Sequence, residues 1–251
     1  MNEFNEYLSG LTHDDLGVRE KAIRGLAKYS GAQWQGSPDA VSAAVPEIVK
    51  AARLRGEGPF YGAFRAEAAK ALGNIGAEPP TIVSELVRLL KEDADSRVRT
   101  EAAHALGMIG ERAASASRAL VVVIGDADGE DTLRGEATWA LARVSPLAPG
   151  TAAALRAAMN DRSGYVSVRA AEALWKVSGE DGRAILAIVA RLNDPEIRQA
   201  AVQALNRIGQ GAKAAVPALL TAVKSKDRLF RESAIMALRK IDPGAAAKAG
   251  V

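Results

Sequence analysis

The chain has no cysteine, which excludes disulfides, thiol nucleophiles and thiolate metal sites. It has two histidines, His13 and His104, too few to build a histidine metal cluster. Aromatic residues make up 4% of the sequence against 48% for all hydrophobic types, so any core must be aliphatic. No apolar run approaches the roughly 20 residues needed to span a bilayer. The opening stretch MNEFNEYLSG has neither the basic nor the apolar region of a secretory signal, and a cytoplasmic chain without a membrane partner is expected. Neither sign of charge dominates: 33 Lys and Arg face 30 Asp and Glu. There is no Walker loop and no G-x-S-x-G elbow. No catalytic residue, cofactor or metal ligand is expected from this inventory.

What is present is repetition. Leu26, Leu72, Leu106, Leu141, Leu174, Leu205 and Leu238 each close the same phrase, with steps of 46, 34, 35, 33, 31 and 33 residues between them. A period near 33 marks a repeat array. Four residues before each leucine stands an alanine: Ala22, Ala68, Ala102, Ala137, Ala170, Ala201 and Ala234. The residue just before it is always small, from Gly25 to Ala237. Larger apolar residues fall eight before (Phe64, Val98, Leu133) and three after (Ile75, Ile109, Val144). These offsets lie along one stripe of a 3.6-residue helix, and the alanines let a neighbouring helix come close.

A second apolar stretch precedes most of these helices: 45–52, 82–90, 113–124, 152–159, 185–192 and 216–223. Pro46, Pro79, Pro80 and Pro217 fall near the expected starts of these stretches, and Gly76, Gly110 and Gly209 follow second helices. Each repeat therefore reads as a helix pair. At the joint inside the pair, Asp15, Asp95, Asp194, Asp227 and Glu130 stand four residues before an arginine. The acid is placed to cap the second helix, and Arg19, Arg65, Arg99, Arg134, Arg198 and Arg231 are placed to reach an acid of an adjacent repeat. The fifth copy has Ser167 in place of the arginine.

The stretches DADSRVRTEAAHALGMIG (93–110) and DPEIRQAAVQALNRIG (194–209) resemble HEAT repeats, particularly the short bacterial type also found in phycobilisome lyases. The resemblance covers about residues 14 to 241. It implies an all-α, right-handed α-solenoid of about seven helix pairs, a single domain over 1–251, and the role of scaffold or adaptor binding another protein or peptide as a monomer. Nucleic-acid binding is the alternative, since HEAT-like DNA glycosylases use a cationic concave face with tryptophans and an aspartate. No wall position named below is an aspartate, and neither histidine precedes a glutamate as in the HEAT-like di-iron hydroxylases, so no enzyme is expected.

If second helices line the concave wall, as in the family, the exposed registers are five before, two before and two after the leucine. Glu67, Glu101 and Glu136 then form an acidic band, and Arg143, Lys176, Arg207 and Lys240 a row of cations about 10 Å apart. That row suits a phosphate backbone or an acidic protein surface, or it complements helix C-termini. Trp139, with His104, Met108, Arg143 and Glu172, is the favoured contact patch. Trp175 and Lys176 extend it. Both tryptophans are either interface anchors or space fillers between repeats.

The 46-residue step carries about a dozen extra residues, divided between SGAQWQGSPDA (30–40) and LRGEGPFYGAF (54–64). The second is read as an inserted loop over 53–64, with Arg55, Phe60 and Tyr61 as candidates for binding or for packing on the first repeat.

Overall fold

The structure is a computed structural model that describes residues 3–29, 38–56, 58–76, 80–179 and 182–251. Trp34, Glu57 and Pro79 lie outside the described residues. Every regular element among them is helical. Two compact units are formed, Met1–Ser145 and Pro146–Val251.

The first unit holds four helix pairs: α1 (Glu3–Gly10) with α2 (Leu16–Leu26), α3 (Pro38–Ala52) with α4 (Pro59–Ile75), α5 (Thr81–Glu92) with α6 (Ser96–Ile109), and α7 (Ser117–Gly125) with α8 (Asp131–Val144). The second helices lie side by side, α4 against α6 and α6 against α8. The second unit holds three pairs: α9 (Pro149–Ala158) with α10 (Gly164–Ser178), α11 (Gly182–Ala190) with α12 (Arg198–Ile208), and α13 (Val216–Ala222) with α14 (Arg228–Ile241), followed by α15 (Pro243–Lys248).

The core is the register read from the sequence. All seven leucines are fully buried, and so are the seven alanines four residues earlier. Each buried leucine contributes about 2–3 kcal/mol. The small residues set the spacing. A Cβ added to Gly73 would lie 2.6 Å from the Cβ of Ala105 and 2.8 Å from its Cα, so α4 and α6 meet backbone to backbone there. Val18, the first copy's member of the larger apolar register, is exposed.

The turns between paired helices are closed by polar side chains. Asp15 accepts from the amides of Gly17 and Val18 at the start of α2, Asp95 from Arg97 at α6, and Asp227 from Phe230 at α14. In the fifth copy Ser163 takes the same place, accepting from Val166. Two acids depart from the expectation. Asp194 holds the amide of Glu196 in the turn before α12, whose helical hydrogen bonding starts only at Arg198, and Glu130 makes no side-chain cap bond at α8.

The arginines behave in two ways. Arg65 forks onto Asp93 of the next copy at 2.7 and 2.8 Å, and Arg198 reaches Asp227 of its next copy at 2.7 Å. Arg19, Arg99 and Arg231 instead donate to the carbonyl six residues behind them, His13, Asp93 and Ser225. Arg134 pairs within its own helix, with Asp131 at 2.8 Å. The expected ladder of bridges between copies is therefore partial, and Arg65 itself also donates to a backbone carbonyl, that of Leu54 at 3.2 Å. Where arginine is missing, Ser167 donates to the Met159 carbonyl at 2.8 Å.

Three local expectations are corrected, and the last segment adds a helix. Pro46 lies inside α3 rather than at its start, because that helix begins at Pro38. The first helix of the fourth copy is broken: Gly110–Ala116 is 3-10, Ala113 leaves helical geometry at φ −96° and ψ 22°, and α7 follows. The 53–64 loop ends at Gly58, since Pro59 starts α4 and its fixed φ suits that position. The alanine-rich tail folds as α15, capped by Asp242 accepting from Ala245 at 2.9 Å, with Ala246 buried.

Candidate functional site

In the first unit the second helices α6 and α8 bring a polar and aromatic cluster together. Trp139 of α8 is its centre. Its indole stacks on the His104 imidazole of α6, with centroids 4.9 Å apart and planes within 9°. The Arg143 guanidinium lies over the same ring at 5.0 Å, while its Nε donates to the Gly107 carbonyl at 2.7 Å. The ring is half-buried over Gly107, where an added Cβ would come within 2.3 Å of the indole. Met108 stands beside this glycine in the chain and is 49% exposed. His104, Met108, Trp139 and Arg143 thus form an apolar, cation-edged patch.

Below it runs the acidic band. His104 Nδ1 is 3.2 Å from Glu136, and Glu67, Glu101 and Glu136 share one register on α4, α6 and α8. Burial raises the pKa of the half-buried Glu101, and the charges of Glu67 and Glu136 add to this, against His104 and Lys70. The folded state therefore binds the Glu101 proton more tightly than the unfolded chain, so stability falls as pH rises above the ordinary carboxylate range. Glu101→Gln is expected to stabilise the protein at pH 7 and to lose that advantage below about pH 4.5. Denaturant midpoints at the two pH values check it, and an advantage that grows in acid contradicts it.

In the second unit the same registers are used differently. Glu172, expected on the exposed wall, is buried: its side chain is 8% exposed and both oxygens accept from Arg207, at 2.6 and 2.7 Å. The hydrogen bonds to Glu172 raise the Arg207 pKa, although burial opposes this. Trp175 is half-buried and packs over Gly211, in the 3-10 segment that follows α12, where an added Cβ would lie 2.2 Å from the ring. Lys176 and Lys240 are exposed.

The cation row is accordingly not four free charges. Residues two after the leucine look back onto the preceding copy: Asn74 donates to the Ala27 carbonyl at 2.9 Å, Arg143 to the Gly107 carbonyl, and Arg207 to Glu172. The Ala27 and Gly107 carbonyls belong to the group that a helix C-terminus leaves without a partner inside the helix, whereas Glu172 offers a side-chain carboxylate.

The loop candidates divide. Tyr61 is half-buried over Gly56, whose added Cβ would lie 2.1 Å from the ring, and Phe60 stacks on the core residue Phe64 at 5.9 Å. Phe60 thus packs along α4, and Tyr61 packs back onto the loop that precedes it. Arg55 remains exposed. Nearby, Arg53 and Arg88 both bind the buried Glu85, at 2.6 Å each. Burial pushes the Glu85 carboxyl up, and the two guanidiniums outweigh that and hold it below its ordinary value.

Stacked helix pairs with a shared alanine and leucine register define an all-α repeat solenoid. The family model for HEAT repeats matches residues 59–142 and 151–239, more than half of the chain. The chain belongs to the HEAT-repeat family. Among solved structures it is similar to an engineered protein at 24% identity, covering 97% of this chain and all of that one with a TM-score of 0.54. A second engineered protein matches at 24% identity over all of this chain and 72% of that one, TM-score 0.52. A designed armadillo repeat protein matches at 22% identity over 96% of this chain and all of that one, TM-score 0.51. At these identities the likeness is one of fold. No curated protein matches the sequence. No described helix is long and apolar enough to cross a membrane, and the described residues hold no group of acids and histidines fit for a metal ion.

Proposed function

We propose that the chain is a non-enzymatic scaffold or adaptor that binds another protein or a peptide along the face formed by its second helices. The observation that carries this reading is the half-exposed stack of His104, Trp139 and Arg143 beside the exposed Met108. A rigid aromatic with a cation over it and an apolar neighbour is the composition of an interface anchor. The fold supports the reading as well, since repeat arrays offer extended surfaces and carry function in their departures from consensus.

The nucleic-acid reading rests on the cation row, and Arg143 and Arg207 are already engaged within the protein. Capture of partners from a native lysate separates the two. A protein partner is expected to persist after nuclease treatment. Its affinity should fall about 100-fold in the Trp139→Ala/Arg143→Glu variant, the loss of two anchor groups. Met108→Glu, a change at an exposed position, tests the same patch without touching the Trp139 packing. Unchanged affinity in both variants removes the site. Material lost entirely with nuclease, with affinity falling steeply in salt, puts nucleic acid first.

A further inference from the structure

A groove of about 570 Å³ opens in the first unit, away from the Trp139 patch. It runs between α5, α7 and the turns that lead into α6 and α8, and none of the wall candidates lines it. Its floor is aliphatic, made by Leu90, Val123 and Leu133. Val122 stands at its edge with 67% of its surface exposed, although it lies in the apolar run VVVIG.

The charges around this floor are unbalanced. Lys91, Arg99 and Arg118 line the groove against two carboxylates, Asp93 and Asp126, while the buried Arg134 of the lining is paired with Asp131. Asp93 is already neutralised, since both of its oxygens accept from Arg65. Lys91 and Arg118 are exposed and form no ion pair among the described residues. Arg99 is held over the turn by the Asp93 and Ala94 carbonyls, which fix its position and leave its charge uncancelled.

We propose that this groove docks a short acidic peptide segment, with an apolar side chain seated among Leu90, Val122, Val123 and Leu133 and flanking carboxylates facing Lys91 and Arg118. The volume suits one or two seated side chains, within the range of about 300–1,000 Å³ for ligand sites. An apolar floor rimmed by cations selects against a basic or purely polar segment, because seating either would desolvate charge without a partner. This second surface stands or falls independently of the Trp139 patch.

The test is fluorescence polarisation with a labelled nonapeptide, Gly-Ser-Asp-Leu-Glu-Leu-Asp-Ser-Gly, and its counterpart with lysine at every acidic position. Saturable binding of the acidic peptide alone is expected. The Lys91→Glu/Arg118→Glu variant should bind at least about tenfold more weakly, and added salt should weaken the wild type. Both substitutions are at exposed positions, so the helical circular dichroism and thermal midpoint are expected to be retained. Trp139→Ala/Arg143→Glu should bind the peptide as the wild type does. The proposal is overturned by absent saturable binding, by equal binding of the basic peptide, or by an unaffected double charge reversal. Displacement of the peptide by free octanoate at comparable concentration also overturns it, and identifies a small-carboxylate site instead.

Discussion

Leu106→Ala is expected to lower the stability of the first unit by about 4–5 kcal/mol, near the top of the range for such truncations. The magnitude depends on how far the surroundings collapse into the gap. Leu106 is fully buried on α6, which is packed between α4 and α8. Around it the copies already touch through small residues, with Gly73 against the Ala105 backbone and Gly107 under the Trp139 ring. Helices in backbone contact cannot move closer, so most of the cavity stays open. The denaturant midpoint should fall while the slope is kept, since the surface exposed on unfolding hardly changes. A loss under about 2 kcal/mol would mean that the stack relaxes over the hole.

Arg65→Leu should come next, at about 3–5 kcal/mol, because it strands a buried carboxylate. The side chains of Arg65 and Asp93 are 14% and 5% exposed, so solvent screening does little for the pair. In the wild type, burial drives the Asp93 pKa up, but Arg65 and the Asp95 amide outweigh it and hold the group below its ordinary value. That stabilisation is fully present above about pH 3.8 and is lost as pH falls through the depressed folded value. Without Arg65 the burial effect dominates and the sign reverses. The deficit of the variant is then greatest at neutral pH and shrinks on acidification, as Asp93 takes up a proton. Adding Asp93→Asn should restore most of the loss, since a neutral amide keeps the bond from the Asp95 amide without carrying a charge. A deficit independent of pH, with no rescue, would place the cost in packing around the arginine stem.

How much of this was legible in the sequence depends on whether an interaction stays in register. The leucine and alanine positions recur at one offset in every copy, and burial follows them without exception. The pairing of helices and the helix-ending Gly76, Gly110 and Gly209, all at positive φ, were legible for the same reason. The acid caps were partly so, because a cap needs only its own turn. Glu172 was misread as wall because its partner lies 35 residues on, in a different register of the next copy. One offset reads a stripe, whereas Glu172 and Arg207 meet on a diagonal. Trp139 and Trp175 show the same limit: each lies over a glycine outside its own helix, Gly107 and Gly211, which spacing along one helix does not pair. The groove was missed for another reason. Lys91 and Arg118 sit on first helices, where attention to second helices does not reach. The one sequence signal was the run Val121 to Ile124, longer than a single buried stripe of α7 can absorb.

The bond from Arg19, Arg99 and Arg231 to a carbonyl six residues back has a bearing on how such a chain tolerates change in its own length. Each of these clasps begins and ends within one copy. A turn closed this way keeps its angle whichever copy stands before or after it. Where this arginine bridges instead, from Arg65 to Asp93 and from Arg198 to Asp227, the turns of successive copies are tied together. Duplication or loss of a whole copy at a clasped turn leaves the remaining turns closed, whereas the same event beside a bridged turn orphans a charge. The array is modular at some joints and locked at others, and the arginine's partner says which.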